Sequence, residues 1–413
     1  MGVQYSPSYC SCRNDGKSMN AIILQCGGPT AVVNTSLAAV VAASQADQGF
    51  GRLWGARLGL GGLVSGDWAE LTTLSSETLD HLRVQPGAAL GGSRYFLADE
   101  DLPHVLARLE EHRIHVVYLI GGNGTMTAAQ KLLNAAQTSS YAVKGALLQV
   151  IGIPKTVDND LAGADVAPGY ASAARWIAQT VRDIGLDLRA MRAFDDVAVL
   201  EVMGRHAGWL AAAAALARQE ADDPPDLILL PEVVFDEERF LGAVQQIHRR
   251  KGICLVVASE GIRDEAGVFV AEKLGKTEAD ASGQKFLGLA PGVAPYLADL
   301  IRRRLQIRCR HLRPDTIQRS SSALVSETDR DLAERVGCAA VAAALAGQTG
   351  VMMALVRSQP GWNVQPVPFG EVIGRERLLP VEFRSPSGWD VSEAFLAHAR
   401  PLVGELVTGA VQL

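Results

Sequence analysis

A strand that ends in a glycine turn and passes directly into a helix recurs along this chain, and that grammar confines the fold to the α/β class. Residues 21–24 (Ala-Ile-Ile-Leu) lead into Gly27-Gly28-Pro29-Thr30 and the apolar segment 31–43. Residues 116–120 lead into Gly121-Gly122-Asn123-Gly124-Thr125 and a helical stretch at 128–136, and residues 147–153 lead into Lys155. Shorter β-rich runs at 197–202, 227–230 and 253–258 each end at polar or glycine residues. Strands separated by helical stretches predict doubly wound parallel sheets, whose ligands bind beyond the carboxyl ends of the strands. The unusual loops all fall there. Residues 222–225 read as a loop, and 361–370 as a further irregular connection.

A chain of 413 residues, 48% apolar, has material for two or three domains of roughly 150 residues each. The net charge of −6 excludes nucleic acid or an anionic membrane as the main partner and leaves small molecules or other subunits. Six cysteines (Cys10, Cys12, Cys26, Cys254, Cys309 and Cys338) are scattered without paired metal-ligand spacing, which points to a reducing, cytoplasmic setting. No apolar run reaches the length of a membrane span, and the start lacks a secretory pattern. Residues 1–18 are polar and are expected to form a loose tail, with Met19 an alternative start.

The chemistry concentrates in residues 151–160, Ile-Gly-Ile-Pro-Lys-Thr-Val-Asp-Asn-Asp, which set a cation, a hydroxyl and two carboxylates at the end of an apolar strand. Phosphoryl transfer needs positive charge on the migrating group, a base near the attacking hydroxyl and usually a divalent metal. Lys155, Asp158 and Asp160 can fill those roles, although the same run also suits a polar turn. The glycine loops at 27–28 and 121–125 open helices whose N–H groups can meet phosphate oxygens, and glycine equally serves any tight strand-to-helix turn.

Glu201-Val202-Met203-Gly204-Arg205-His206-Ala207-Gly208-Trp209 ends another strand and offers an Arg suited to gripping phosphate bidentately. His206 reads either as a general acid or, preferably, as a hydrogen-bonded core histidine. In Ser259-Glu260-Gly261 a carboxylate can accept bonds from sugar hydroxyls. Arg310, Arg313 and Arg319 lie in a further polar stretch, whereas Arg302, Arg303 and Arg304 read as a solvated helix face.

Assembled, these residues resemble the phosphofructokinase family over about residues 20–383. The family's catalytic motif, G-[IV]-P-[GK]-T-[IV]-D-N-D, stands here at 152–160, and its substrate motif, M-G-R-H-x-G, at 203–208. The order of Gly27-Gly28, Gly91-Gly92-Ser93-Arg94, Gly121-Gly122, Ser259-Glu260-Gly261 and Ile317-Gln318-Arg319 is also the family's. Lys155 in place of Gly, Ala207-Gly208-Trp209, and the run from Thr316 to Ser321 look most like the pyrophosphate-using branch.

The resemblance implies that Asp158 takes the proton from the C1 hydroxyl of fructose 6-phosphate. Thr156 would position that hydroxyl or the migrating group, and Lys155 would neutralise the donor or the leaving phosphate. Gly27, Gly28, Arg94, Gly122, Asn123, Gly124 and Thr125 would surround the donor. Met203, Gly204 and Arg205 would hold the sugar phosphate, with Glu260 on its hydroxyls and Arg310 and Arg319 on the 6-phosphate. Magnesium would sit on Asn123, Asp158 and Asp160. The implied fold has two doubly wound α/β domains with the active site between them. Residues 19–169 and 318–375 would form the donor side, and 170–317 and 376–413 the sugar-phosphate side. The implied assembly is a homodimer or homotetramer in which a neighbouring subunit lends part of the sugar-phosphate site.

The chain departs from the family in two places. Gly121-Gly122-Asn123-Gly124 lacks both carboxylates: ATP users read G-G-D-G and pyrophosphate users commonly G-G-D-D or G-G-N-D. Gly124 leaves room for ATP while Lys155 suits pyrophosphate, so either donor stays open. Asp196 stands where the family usually has Arg or Lys for the 6-phosphate. Either Arg192 or Arg189 takes over, or the acceptor is another ketose phosphate such as sedoheptulose 7-phosphate. The same two departures also suit a sugar-phosphate-binding regulatory protein.

Overall fold

The structure, a computed structural model, describes residues 18–139, 141–143, 145–194, 196–275, 291–358 and 361–407. Apart from Ser18, the expected N-terminal tail lies outside the described residues, as do Cys10 and Cys12. The thirteen strands among them are β1 Met19–Gln25, β2 Phe50–Ala56, β3 Trp68–Glu70, β4 Ile114–Gly121, β5 Ala142–Val143, β6 Ala146–Leu147, β7 Gln149–Pro154, β8 Val197–Val202, β9 Leu227–Leu229, β10 Cys254–Ser259, β11 Cys309–Leu312, β12 Val351–Arg357 and β13 Trp362–Pro368.

Seven of these form one sheet in the order β13-β12-β7-β4-β1-β2-β3, and four form a second in the order β11-β8-β10-β9. The expected parallel α/β architecture is present. Every residue of β4, β8 and β10 is buried, as strands covered on both faces should be. The edges of the larger sheet depart from it: β3 runs antiparallel to β2, and β13 antiparallel to β12. The run expected as an irregular connection at 361–370 is therefore mostly strand. Its Pro366 and Pro368 are tolerated because an edge strand needs only one row of ladder bonds.

One apolar cluster extends through both sheets, joining Ile23, Tyr118 and Ile151 of the first to Leu200, Leu255 and Ile228 of the second, with Tyr170, Trp209 and Phe395 between. The helix Val33–Ala46 is buried almost all round and crosses the helix Glu327–Leu345 closely. A Cβ on Gly337 would fall 2.7 Å from that of Ala39. The start of the helix Tyr170–Ala190 is held by Asp329, whose buried carboxylate accepts from Gly169 N at 2.9 Å and Ser172 N at 3.0 Å. That bond ties the segment after the catalytic motif to the opposite helix layer.

Register places the loops. Gln25 pairs with Ile120, and Gly121 with Pro154, so Cys26, Gly122 and Lys155 leave the first sheet side by side. In the second sheet Ser259 pairs with Val202, which brings Glu260 beside Met203.

Candidate active site

The Lys155 side chain lies buried and donates from Nζ to the Gly28 carbonyl at 2.8 Å. Burial pulls its pKa from the ordinary 10.5 to about 8, with the positive Arg319 working in the same direction. Gly27 has φ +74°, a left-handed conformation that glycine adopts without strain. Gly28 leaves room for a different reason: a Cβ there would stand 2.5 Å from an Arg319 guanidinium nitrogen and push that side chain aside. Burial, and next the neighbouring Arg94, lower the Arg319 pKa, which shows two guanidiniums held near one another. Lys155, Arg94 and Arg319 thus gather positive charge around the glycine loop, an arrangement suited to phosphate oxygens.

Asn123 opens the helix Asn123–Thr138 behind Gly122. A Cβ on Gly124 would meet no atom within 4 Å, so that position faces open space. Thr125 turns inward instead: it is buried and hydrogen-bonds the Cys26 thiol, and its side chain fills the space a Cβ on Gly121 would need. It braces the loop from behind.

The catalytic turn is built on Asn159, whose φ of +55° is one that Asn tolerates better than bulkier residues. Its buried side-chain oxygen accepts from Ala167 N at 2.9 Å, fixing the turn between the two aspartates. Thr156 Oγ1 accepts from Asp158 N at 3.1 Å and donates to Asp160 Oδ1 at 3.1 Å. Asn123 Nδ2 donates to Asp160 Oδ2 at 2.9 Å, while Asn123 Oδ1 is buried with no hydrogen-bond partner.

Desolvation pushes Asp158 up to about 8, and the nearby carboxylates of Asp160 and Glu260 add to it against Arg205 and Lys155. Burial likewise raises Asp160. Among the described residues no group of three or more His, Cys, Asp and Glu has the geometry of a metal cage. An orphaned amide oxygen beside the Asp160 carboxylate, with the Asp158 carboxylate close by in the same turn, nonetheless fits a hard divalent cation that keeps most of its waters.

Next to this turn lies a cavity of about 320 Å³ lined by Met203, Arg205, Glu260, Arg94, Arg319 and Arg313, together with Glu201, Val202, Asp315, Thr316 and Gln318. Met203 N donates to Gln318 Oε1 at 2.9 Å. Gly204, at φ +122°, offers its carbonyl to the Ser259 hydroxyl. Gly261 packs beneath this loop so closely that a Cβ would fall 1.9 Å from the Arg205 carbonyl oxygen. Burial raises Glu260 to about 7, opposed chiefly by Arg205.

Several expected residues lie elsewhere. Arg310, on β11, is ion-paired with Asp187 of the helix Tyr170–Ala190 and is not among the cavity-lining residues. Arg313, just past the strand's carboxyl end, lines the cavity in its stead, with its Nε 3.1 Å from Glu201 Oε1. Asp196 precedes β8, at the end away from the cavity. It accepts from Arg308 Nε at 2.9 Å and Nη2 at 3.1 Å, which holds its pKa below the carboxylate range. Arg189 is paired with Asp223, and Arg192 is exposed. His206 stands 3.7 Å from Glu376 and edge-on to Phe269, with a pKa lowered by burial, and it does not line the cavity.

Glu201, Arg313 and Gln318 are among the cavity residues to which the sequence assigned no role. The available signal was Glu201 itself, a charged residue inside the otherwise apolar β8.

The sequence profile described as Phosphofructokinase matches residues 20–344. The pyrophosphate–fructose 6-phosphate 1-phosphotransferase of Methylococcus capsulatus is 40% identical over 391 residues, covering 93% of this chain and 91% of the relative. A sulfofructose kinase of Alkalicoccus urumqiensis is 36% identical over 366 residues, covering 88% and 91%. The crystal structure of a pyrophosphate-dependent phosphofructokinase from Nitrosospira multiformis superposes with a TM-score of 0.83 at 31% identity, covering 95% of this chain and 94% of the other. With the family model matching residues 20–344 and 93% of its length aligned to a relative at 40% identity, the chain belongs to the phosphofructokinase family.

Proposed function

We propose that this protein moves a phosphoryl group from pyrophosphate or ATP to the C1 hydroxyl of fructose 6-phosphate, giving fructose 1,6-bisphosphate. The observation that carries this reading is the placement of Asp158. It lies close enough to Asp160, Glu260, Arg205 and Lys155 to feel the charge of each, and desolvation raises its proton affinity above that of an ordinary aspartate.

Asp158 accepts the C1 hydroxyl proton as that oxygen bonds to the transferred phosphorus. The bond from phosphorus to the leaving oxygen breaks, and the electron pair departs with phosphate or ADP. Lys155 neutralises that leaving charge, while Arg94 and Arg319 hold the phosphoryl oxygens. Thr156, tied to Asp160, fixes the height of the Asp158 backbone. A magnesium ion held by Asn123 Oδ1, Asp158 and Asp160 would supply further charge neutralisation on the donor.

Met203, Gly204 and Arg205 would cradle the sugar phosphate, with Glu260 on its hydroxyls and Arg313 toward its distal anion, since Arg319 lies against the Gly28 loop on the donor side. Residues 19–169 and 318–375 would then serve the donor, and 170–317 and 376–413 the sugar phosphate. A homodimer or homotetramer would give Arg310 of one subunit a place at the cavity of another. Among the described residues no helix is long and apolar enough to cross a membrane, and we assign the protein to the cytoplasm.

Pyrophosphate is favoured by Lys155 and by the names of relatives at 35–40% identity. Gly124 leaves space for ATP. A second reading keeps the C1 chemistry on a ketose with a different distal end, sedoheptulose 7-phosphate or sulfofructose. It is supported by the relative named for sulfofructose. ³¹P NMR of purified protein with magnesium, each acceptor and either donor distinguishes these. New C1 phosphate ester in one tube names the pair, and silence in all tubes contradicts an active enzyme.

A further inference from the structure

The catalytic turn follows a strand of the first sheet, and the sugar-phosphate loop follows a strand of the second. Phosphoryl transfer demands that the two stay in register to a fraction of an ångström. A short segment from late in the chain, residues 376–379, runs between them. Glu376 forms an antiparallel bridge with Leu161, and Arg377 N donates to the Asp160 carbonyl at 2.8 Å. The Arg377 guanidinium approaches the Asn159 carbonyl to 3.5 Å.

On its other side the segment grips the end of the sugar-phosphate loop. The Trp209 indole N–H donates to the Arg377 carbonyl at 3.0 Å, and the Arg377 guanidinium carbon lies 4.1 Å from the centroid of the Trp209 rings. Glu232 Oε1 accepts from both Gly208 N and Leu379 N at 2.8 Å, closing the same join from behind. Trp209 is wholly buried, and its carbonyl accepts from the Tyr170 hydroxyl at 3.3 Å, so the surface against which Arg377 rests is fixed.

The geometry points to Arg377 as a positioning residue that sets the spacing between the Asp158 turn and the sugar-phosphate loop. It touches no reacting atom. Its N–H bonds one half-site and its C=O the other, bonds that any residue here would keep, and its guanidinium adds the side-chain link between the Asn159 carbonyl and the Trp209 ring that sets their spacing. The role rests on the reaction proposed above, and its distinguishing sign is damage to turnover without matching damage to binding.

The test compares wild type, Arg377→Met and Arg377→Lys for kcat, for fructose 6-phosphate Kd by calorimetry, and for Tm. Arg377→Met should lower kcat on the order of 10- to 100-fold, as misplacement of catalytic groups does, with Kd within about threefold. Arg377→Lys keeps a cation over Trp209 and should recover much of that loss, also showing that the site folds with a substitution. A Met variant with wild-type kcat overturns the role. So does a Kd that weakens in step with kcat, which would make Arg377 a wall of the binding site. Wild type that binds fructose 6-phosphate yet forms no bisphosphate instead fails the reaction itself, and this role with it.

Discussion

Lys155 Nζ and the Gly28 carbonyl oxygen lie 2.8 Å apart, so the cation of the catalytic turn is anchored to the glycine loop that follows a different strand. The bond aims Lys155 at the donor side. Its pKa stands at about 8 and not the ordinary 10.5, so the cation is present below that pH and lost above it. Loss of this cation should therefore pull kcat/KM for the donor down as pH rises through about 8, against the rise that deprotonation of Asp158 brings in the same range. Lys155→Arg keeps the charge at all these pH values and should flatten that alkaline limb. An identical limb in the Arg variant would assign it to another group.

Gly28 tests the Arg319 placement. Its φ is unexceptional, so Gly28→Ala should leave Tm within a few degrees while driving the Arg319 guanidinium aside. Loss of a charge-assisted contact of about 1.5–3 kcal/mol corresponds to a rise of about 10- to 100-fold in KM for a phosphate-bearing substrate. Unchanged KM values for both substrates would show that Arg319 contacts neither.

Asn123 tests the cation. The amide nitrogen bonds Asp160 at 2.9 Å while the amide oxygen is buried without a partner. Asn123→Asp places a third carboxylate beside Asp158 and Asp160. Like charges at short range should lower Tm in chelator, and added magnesium should restore it more than in wild type. The half-saturating magnesium concentration for activity should fall. A magnesium titration that does not move would locate the metal elsewhere.

Much of this site was legible in the sequence because its loops demand particular residue types. Gly27, Asn159 and Gly204 adopt backbone conformations that few residues tolerate, and Lys155, Asp158 and Glu260 follow strands whose apolar runs are plain. What was not legible depends on partners distant in the chain. Asp196 is paired with Arg308, 112 residues away, so its charge is spent at the far end of β8. Arg310 and Arg313 differ only in standing within β11 or just beyond it, and the strand is four residues long in a segment without clear alternation. Strand β13 was obscured by its prolines. Arg377 belongs to no motif, and its place between the half-sites is set by tertiary contacts alone.

His398 gives a pH test of stability away from the chemistry. Its buried ring packs against Trp209, Phe383 and Trp362, and Nδ1 lies 3.0 Å from Arg357. Burial, reinforced by Arg377 and Arg357, lowers its pKa from 6.5 to about 4. Between those values the unfolded chain binds a proton that the native protein refuses, so stability is complete above pH 6.5 and falls as pH drops toward 4. The loss from this group is about 3 kcal/mol across that window. His398→Gln should flatten the Tm profile there relative to wild type, and parallel profiles would contradict the assignment.

The central claim is that Asp158 is the base. Its direct test is single-substrate kinetics of Asp158→Asn beside calorimetric titration of fructose 6-phosphate into the same preparation. In the variant kcat should fall by at least ~100-fold, as removal of a general base does, with sugar-phosphate affinity little changed. Turnover equal to wild type would contradict it.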